Sequence, residues 1–266
     1  MKAFSMQRAS AVLWKDLVDL RKNRGMLWSM LALPAVVVVM PVGVVLTYVG
    51  RVDDVNLALV AQYFDSTVKA TDSALFLVDK VLMDWLVVYL VMPIFVPILI
   101  SSHAVAGEKE KRTLEPLLAS PITSLELVVG KCLASLIPSV GICILAFIAL
   151  CIGVNIAAFP LAQQLLLPNG MWVFGVFIIA PLFAFFGNGI AVLISARVGD
   201  SRLAQQLSGL FVLPLVALAA GQFGGWLQAG TGYYALIAVL VLGFDVAILF
   251  GVRRLFDRER LMTRWG

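Results

Sequence analysis

The sequence predicts an all-α, polytopic membrane protein with six transmembrane helices and an amphipathic N-terminal helix lying at the membrane interface. Three observations predict it. Of 266 residues, 61% are hydrophobic and 14% are charged, against roughly 45–50% and about 25% in a soluble domain. Mean hydropathy is +0.98. The apolar residues also gather into six runs, each near the roughly 20 residues that a helix needs to cross about 30 Å of hydrocarbon. A soluble fold of this length cannot bury so much apolar side chain, and the same composition excludes disorder, collagen-like repeats and a disulfide scaffold.

Residues 1–25 form the first element, read as a cytoplasmic elbow helix. At 100° per residue, Met6, Leu13, Trp14, Leu17, Val18 and Leu20 share one arc. Arg8, Lys15, Asp16, Asp19 and Lys22 take the opposite one, and Val12 is the exception. Such a helix lies along a membrane surface, either as an interfacial anchor or as an elbow packed on the spans or on a partner.

The six runs fill 26–252, at about 26–49, 85–106, 132–154, 171–195, 203–224 and 233–252. The first is too long for the apolar core of a secretory leader, so it reads as a retained anchor. Pro34, Pro41, Pro93, Pro97, Pro138, Pro181 and Pro214 fall inside the runs and imply kinks whose freed carbonyls need partners. The outer loop 50–84 carries six aspartates and a short helix feeding span 2. Segment 155–170 and the glycine-punctuated stretch 221–232 are both candidates for a re-entrant turn. A basic tail, 253–266, closes the chain.

Orientation follows from Lys and Arg. Seventeen of the 20 fall in the N-terminal segment, the loop 107–131, the turn 196–202 and the tail; only Arg51, Lys69 and Lys80 fall on the other side. Both termini are therefore expected in the cytoplasm. The basic balance is a topology signal with weak attraction to lipid headgroups, and gives no argument for nucleic acid.

The loop 107–131 is the most informative segment. After a charged cluster, a short helix can start at Thr113, with Pro116 tolerated in its first turn and Leu114, Leu117 and Leu118 on one face. Ser120-Pro121 ends it, and Thr123 with Glu126 makes a capping box for the helix that enters span 3. On these grounds it is either a loop helix folded back on the membrane or a docking element.

Residues 108–131, Glu-Lys-Glu-Lys-Arg-Thr-Leu-Glu-Pro-Leu-Leu-Ala-Ser-Pro-Ile-Thr-Ser-Leu-Glu-Leu-Val-Val-Gly-Lys, resemble the signature of type-2 ABC exporter permeases. The customary glycine before Thr113 is Arg112 here. Six spans, an amphipathic N-terminus and a large first outer loop extend the likeness over the chain. The resemblance implies a permease that pairs with a second copy in the cell (inner) membrane, and a cytoplasmic ABC ATPase subunit that carries the ATP and Mg. It also implies a cytoplasmic coupling helix, with Glu108, Glu110, Arg112, Thr113, Leu114, Glu115, Leu117 and Leu118 contacting that ATPase.

No catalytic residue or cofactor is assigned to this chain. Its one Gly-Lys pair, Gly130-Lys131, is followed by Cys132 and has Leu125 where a P-loop needs glycine. Cys132, Cys143 and Cys151 read as buried hydrophobes without metal-site spacing. His103, the single histidine, sits where span 2 meets the cytoplasm, and no nucleophile elbow surrounds Ser208. Asp245, midway along span 6, and Asn188, between Gly187 and Gly189, are the polar residues read as pathway-lining or interhelical. An ATP-independent carrier or channel using Asp245, or a non-transporting scaffold, is the alternative reading.

Overall fold

A computed structural model describes residues 5–50, 70–110, 123–227 and 230–255. The described residues are 89% helical, with no strand among them. The helices are α1 (Met6–Lys22), α2 (Arg24–Gly50), α3 (Ala70–Tyr89), α4 (Val91–Glu110), α5 (Ser124–Ala162), α6 (Gly170–Phe174), α7 (Ala180–Ser195), α8 (Ser201–Gly209), α9 (Leu213–Phe223) and α10 (Thr231–Leu255). Among the described residues, six segments are long and apolar enough to cross a membrane: Arg24–Thr47, Leu75–Ser102, Glu126–Ala162, Gly170–Ser195, Ser201–Phe223 and Thr231–Val252.

Two spans depart from the expected bounds. Span 2 begins at Leu75 rather than residue 85, so the helix expected to feed it is its own first half. Span 3 begins at Glu126 rather than residue 132. Charges at Glu126 and Lys131 set the sequence boundary, yet both side chains are buried against partners on α1. Helix α5 is 39 residues long, about 58 Å at 1.5 Å per residue, and so outreaches a hydrocarbon layer of about 30 Å. Beyond it, Asn155 pins the loop: its Oδ1 accepts from the Leu166 and Leu167 amides, and its Nδ2 donates to the Leu167 carbonyl. Between α9 and α10, residues 224–227 cap α9 through amides that return to Ala220, Gly221 and Gln222.

Span 2 is 72% buried, against 28% for spans 1 and 5, and is the axis of the bundle. Its second half, α4, packs most extensively on α7, with α5 and α8 alongside; α10 leans on α7, and α2 on α5 and α3. Near one end, Trp172 is fully buried, edge-on to Tyr89 at 5.3 Å and stacked on Phe147 at 6.0 Å.

The prolines shape the spans through the carbonyls they leave without an α-helical donor. Pro93 offers no N–H to Tyr89, and span 2 breaks at Leu90. Pro97 frees the Pro93 carbonyl, which takes the Ser139 hydroxyl of α5 at 3.4 Å. Pro41 frees the Val37 carbonyl, which takes the Trp85 indole N–H at 2.9 Å. Pro214 frees the Leu210 carbonyl; the chain tightens to a 3₁₀ turn over Leu210–Val212 so that the Leu213 amide can serve it. In span 4, a π turn over Gly175–Ile179 precedes Pro181. Without water, each such carbonyl needs a donor from elsewhere in the protein.

Replacing Trp85 by Phe should therefore destabilise the fold by about 1 kcal/mol through the orphaned Val37 carbonyl, beyond any loss of packing on Phe223. In a Pro41→Ala background residue 41 regains its own N–H, and that part of the loss should vanish. Thermal unfolding of the four chains in detergent gives the coupling directly; additive effects would show that the indole bond contributes nothing.

Candidate functional site

The first feature of the site is the seat of α1 on the start of α5. The apolar arc packs on protein only in part, with Leu20 buried at its end. Met6 and Trp14 are 65% and 67% exposed, whereas Val12, the exception to the arc, is 4% exposed and Ala9 beside it is buried. In a membrane an apolar side chain suits lipid as well as protein, so the pattern marks both faces alike. What selects the packed face is size. A Cβ on Gly130 would lie 2.7 Å from the Ala9 carbonyl oxygen and 2.7 Å from the Val12 Cβ, so glycine there admits α1 to backbone contact.

Glu126 closes that contact. Its side chain is fully buried. One carboxylate oxygen accepts the Ser5 amide at 2.7 Å and lies 3.5 Å from the Arg8 guanidinium. The other accepts the Thr123 amide at 2.8 Å, and the Thr123 hydroxyl accepts the Glu126 amide at 3.3 Å. This is the predicted capping box, with one oxygen turned to a second helix. Five residues on, buried Lys131 lies 3.7 Å from Asp16 of α1. Glu126 and Gly130, at a spacing of four, share one face of α5, and Lys131 reaches Asp16 of α1 from beside it. A carboxylate withdrawn from water costs several kcal/mol unless such partners replace the water.

The residues expected to touch an ATPase precede this seat in sequence. Residues 107–110 are helical rather than loop, because α4 continues through Glu110. Glu108 and Glu110 therefore stand on its last turn, and His103 lies earlier in the same helix. Arg112, Thr113, Leu114, Glu115, Leu117 and Leu118 lie outside the described residues.

Asn188 of α7 is buried, and its Oδ1 accepts from Ser101 of α4 at 2.6 Å and from Ser135 of α5 at 2.8 Å. The glycines on either side bring the helices within reach. A Cβ on Gly187 would meet the Ile94 carbonyl oxygen of α4 at 2.5 Å, and one on Gly189 would overlap the Ile248 side chain of α10. Sequence reasoning singled out Asn188 and missed both serines, since isolated serines in apolar runs carry no periodic signal. It read Glu126 as a cap and Gly130-Lys131 against a P-loop, and all three as part of the 108–131 signature, without setting any of them against α1. Asp245 stands apart on α10, one turn before Ile248. It is 5% exposed, and neither carboxylate oxygen has a hydrogen-bond partner among the described residues. No group of three metal-ligating side chains occurs among the described residues.

A family model described as ABC-2 family transporter protein matches residues 10–255. No curated protein matches the chain.

The close approach at Gly187 gives a sharp contrast with Gly243, where a Cβ would meet nothing within 4 Å. Gly187→Ala should destabilise by about 1–3 kcal/mol by forcing α4 and α7 apart. Gly243→Ala should be neutral or stabilising, by up to about 1 kcal/mol from helix propensity. Unfolding midpoints in detergent measure both, and equal effects would remove the packing role given to Gly187.

Proposed function

Because this chain belongs to the ABC-2 family of transporter permeases, we propose that it is the permease subunit of an ABC exporter. Two identical copies form the translocation path, and a separate cytoplasmic ATPase subunit with its ATP and Mg drives them. The observation that carries this reading is the extent of the family match, residues 10–255, which takes in all six spans, most of α1 and the whole loop between spans 2 and 3. The distribution of Lys and Arg supports an orientation in a cell (inner) membrane with both termini and this loop in the cytoplasm.

The loop is the handle. Glu108, Glu110, Arg112, Thr113, Leu114, Glu115, Leu117 and Leu118 enter a groove on the ATPase. The helices on either side of the handle are α4 and α5, and Asn188 binds both through Ser101 and Ser135 while standing on α7. A push on the handle therefore moves the inner parts of spans 2, 3 and 4 together. The break at Leu90 lets the outer half of span 2 follow at a different angle. Access to the path then alternates as the ATPases close and open. This is a coupling claim that rests on a connected set of hydrogen bonds and close helix contacts.

A rival reading, an ATP-independent carrier or channel, draws on the partnerless carboxylate of Asp245; a non-transporting scaffold is the other. In the permease reading Asp245 is a buried residue midway along α10 that takes no part in docking. Leu114→Asp and Leu117→Asp should each abolish co-purification of the co-expressed ABC ATPase while leaving the permease in the membrane fraction. Asp245→Asn should leave co-purification intact. Wild-type ATPase yield from both leucine variants would remove the docking assignment.

A further inference from the structure

The handle ends at Thr123, yet the bonds that hold this end reach back to the beginning of the chain. Buried Glu126 joins the Thr123 amide to the Ser5 amide, 121 residues apart from it in sequence, and to Arg8. Gly130 against Ala9 and Val12, with Lys131 against Asp16, continue the same contact for a further turn. Rolling or sliding α1 on α5 would break an ion pair at either end and drive Val12 into the α5 backbone. The seat is thus held at three points rather than hinged at one.

The other end of α1 is stiff as well. A single residue, Asn23, separates α1 from α2. Its amide donates to the Leu20 carbonyl, its Oδ1 accepts the Met26 amide at 3.2 Å, and its carbonyl accepts the Leu27 amide. The corner is capped on both sides, so a displacement of α1 must appear at the inner end of span 1. Span 1 packs elsewhere on α5 and α3 mainly through apolar side chains, and its hydrogen bond to α3, Trp85 to the Val37 carbonyl, lies midway along the span rather than at this end.

We propose that Glu126 is a positioning residue which, through α1 and the Asn23 corner, carries displacement of the coupling loop to the inner end of span 1. The inference rests on the coupling reading of the loop and adds a fourth span to the set the handle moves. It also gives the Glu-Leu-Val-Val-Gly-Lys stretch, residues 126–131, a task distinct from ATPase contact: it is the socket for the N-terminal helix.

The test uses the assembled complex of permease and ATPase in lipid nanodiscs, with the three native cysteines replaced by alanine. Spin labels go on Gln7→Cys of α1 and Gln206→Cys of α8, both exposed positions. Trapping the ATPase with ATP and vanadate should shift the distance between them. Glu126→Gln keeps the shape and removes the charge, and should keep ATPase binding. Loss of charge-assisted hydrogen bonds should lower the displaced population by about tenfold. Arg8→Gln, which keeps the Ser5 and Thr123 bonds, should give a smaller loss in the same direction. A purely structural role would broaden the resting distance without abolishing the shift. A wild-type shift in Glu126→Gln overturns the proposal. Absence of any shift in the wild type also overturns it; if the permease still alters ATP hydrolysis in that case, the coupling reading survives alone.

Discussion

Inside a bilayer, a carbonyl that has lost its helical donor has no water to turn to, and that constraint organises this molecule. Prolines create such carbonyls in several spans, and three of them are answered in different ways. The Val37 carbonyl takes an indole N–H from α3, the Pro93 carbonyl takes a hydroxyl from α5, and the Leu210 carbonyl takes an amide made available by local tightening. Two of the three answers come from another span. A kink in one helix thereby becomes a tie to its neighbour, and spans rich in helix-bending residues are still held in a fixed register.

Close approach is the second condition, and glycine supplies it. Gly130 admits α1 to α5, Gly175 admits Leu86, Gly187 admits the α4 backbone and Gly189 admits Ile248. Apolar side chains gain little from leaving lipid for protein, so packing at short range and interhelical hydrogen bonds supply most of the association. Where the backbones meet, polar groups follow: Asn188 with two serines beside Gly187, and Glu126 with Ser5 and Arg8 one turn before Gly130. Around Asn188, spans 2, 3 and 4 become a cross-braced block, while span 2 breaks at Leu90 away from that brace. A permease needs both properties, a rigid part to receive a push and a place where the spans can bend.

The six spans and the amphipathic helix were legible because hydrophobic length and 3.6-residue periodicity are local properties. Boundaries were less so. Glu126 and Lys131 read as the edge of the membrane because an isolated charge belongs in water, whereas in the fold their partners come from α1, more than a hundred residues away. The arc of α1 marked a membrane-surface helix but not the contact on α5: Met6 and Trp14 suit lipid as well as protein, and it is the small residues Ala9 and Val12 that fit the socket. Proline positions announced that donors were needed but could not say which helix would bring them, since Trp85 and Ser139 are neighbours of Val37 and Pro93 only in three dimensions. The signature 108–131 pointed to the family, and the match over residues 10–255 bears that out. It pointed equally to the socket residues 126–131, whose task emerged only once α1 was in place.

The most direct measurement is the rate of ATP hydrolysis by the partner ATPase in liposomes, with and without this permease. A gate worked by a separate ATPase through the loop predicts that adding the permease changes the rate, and that the Leu114→Asp, Leu117→Asp double variant restores the rate of the ATPase alone. A rate indifferent to the wild-type permease would contradict it.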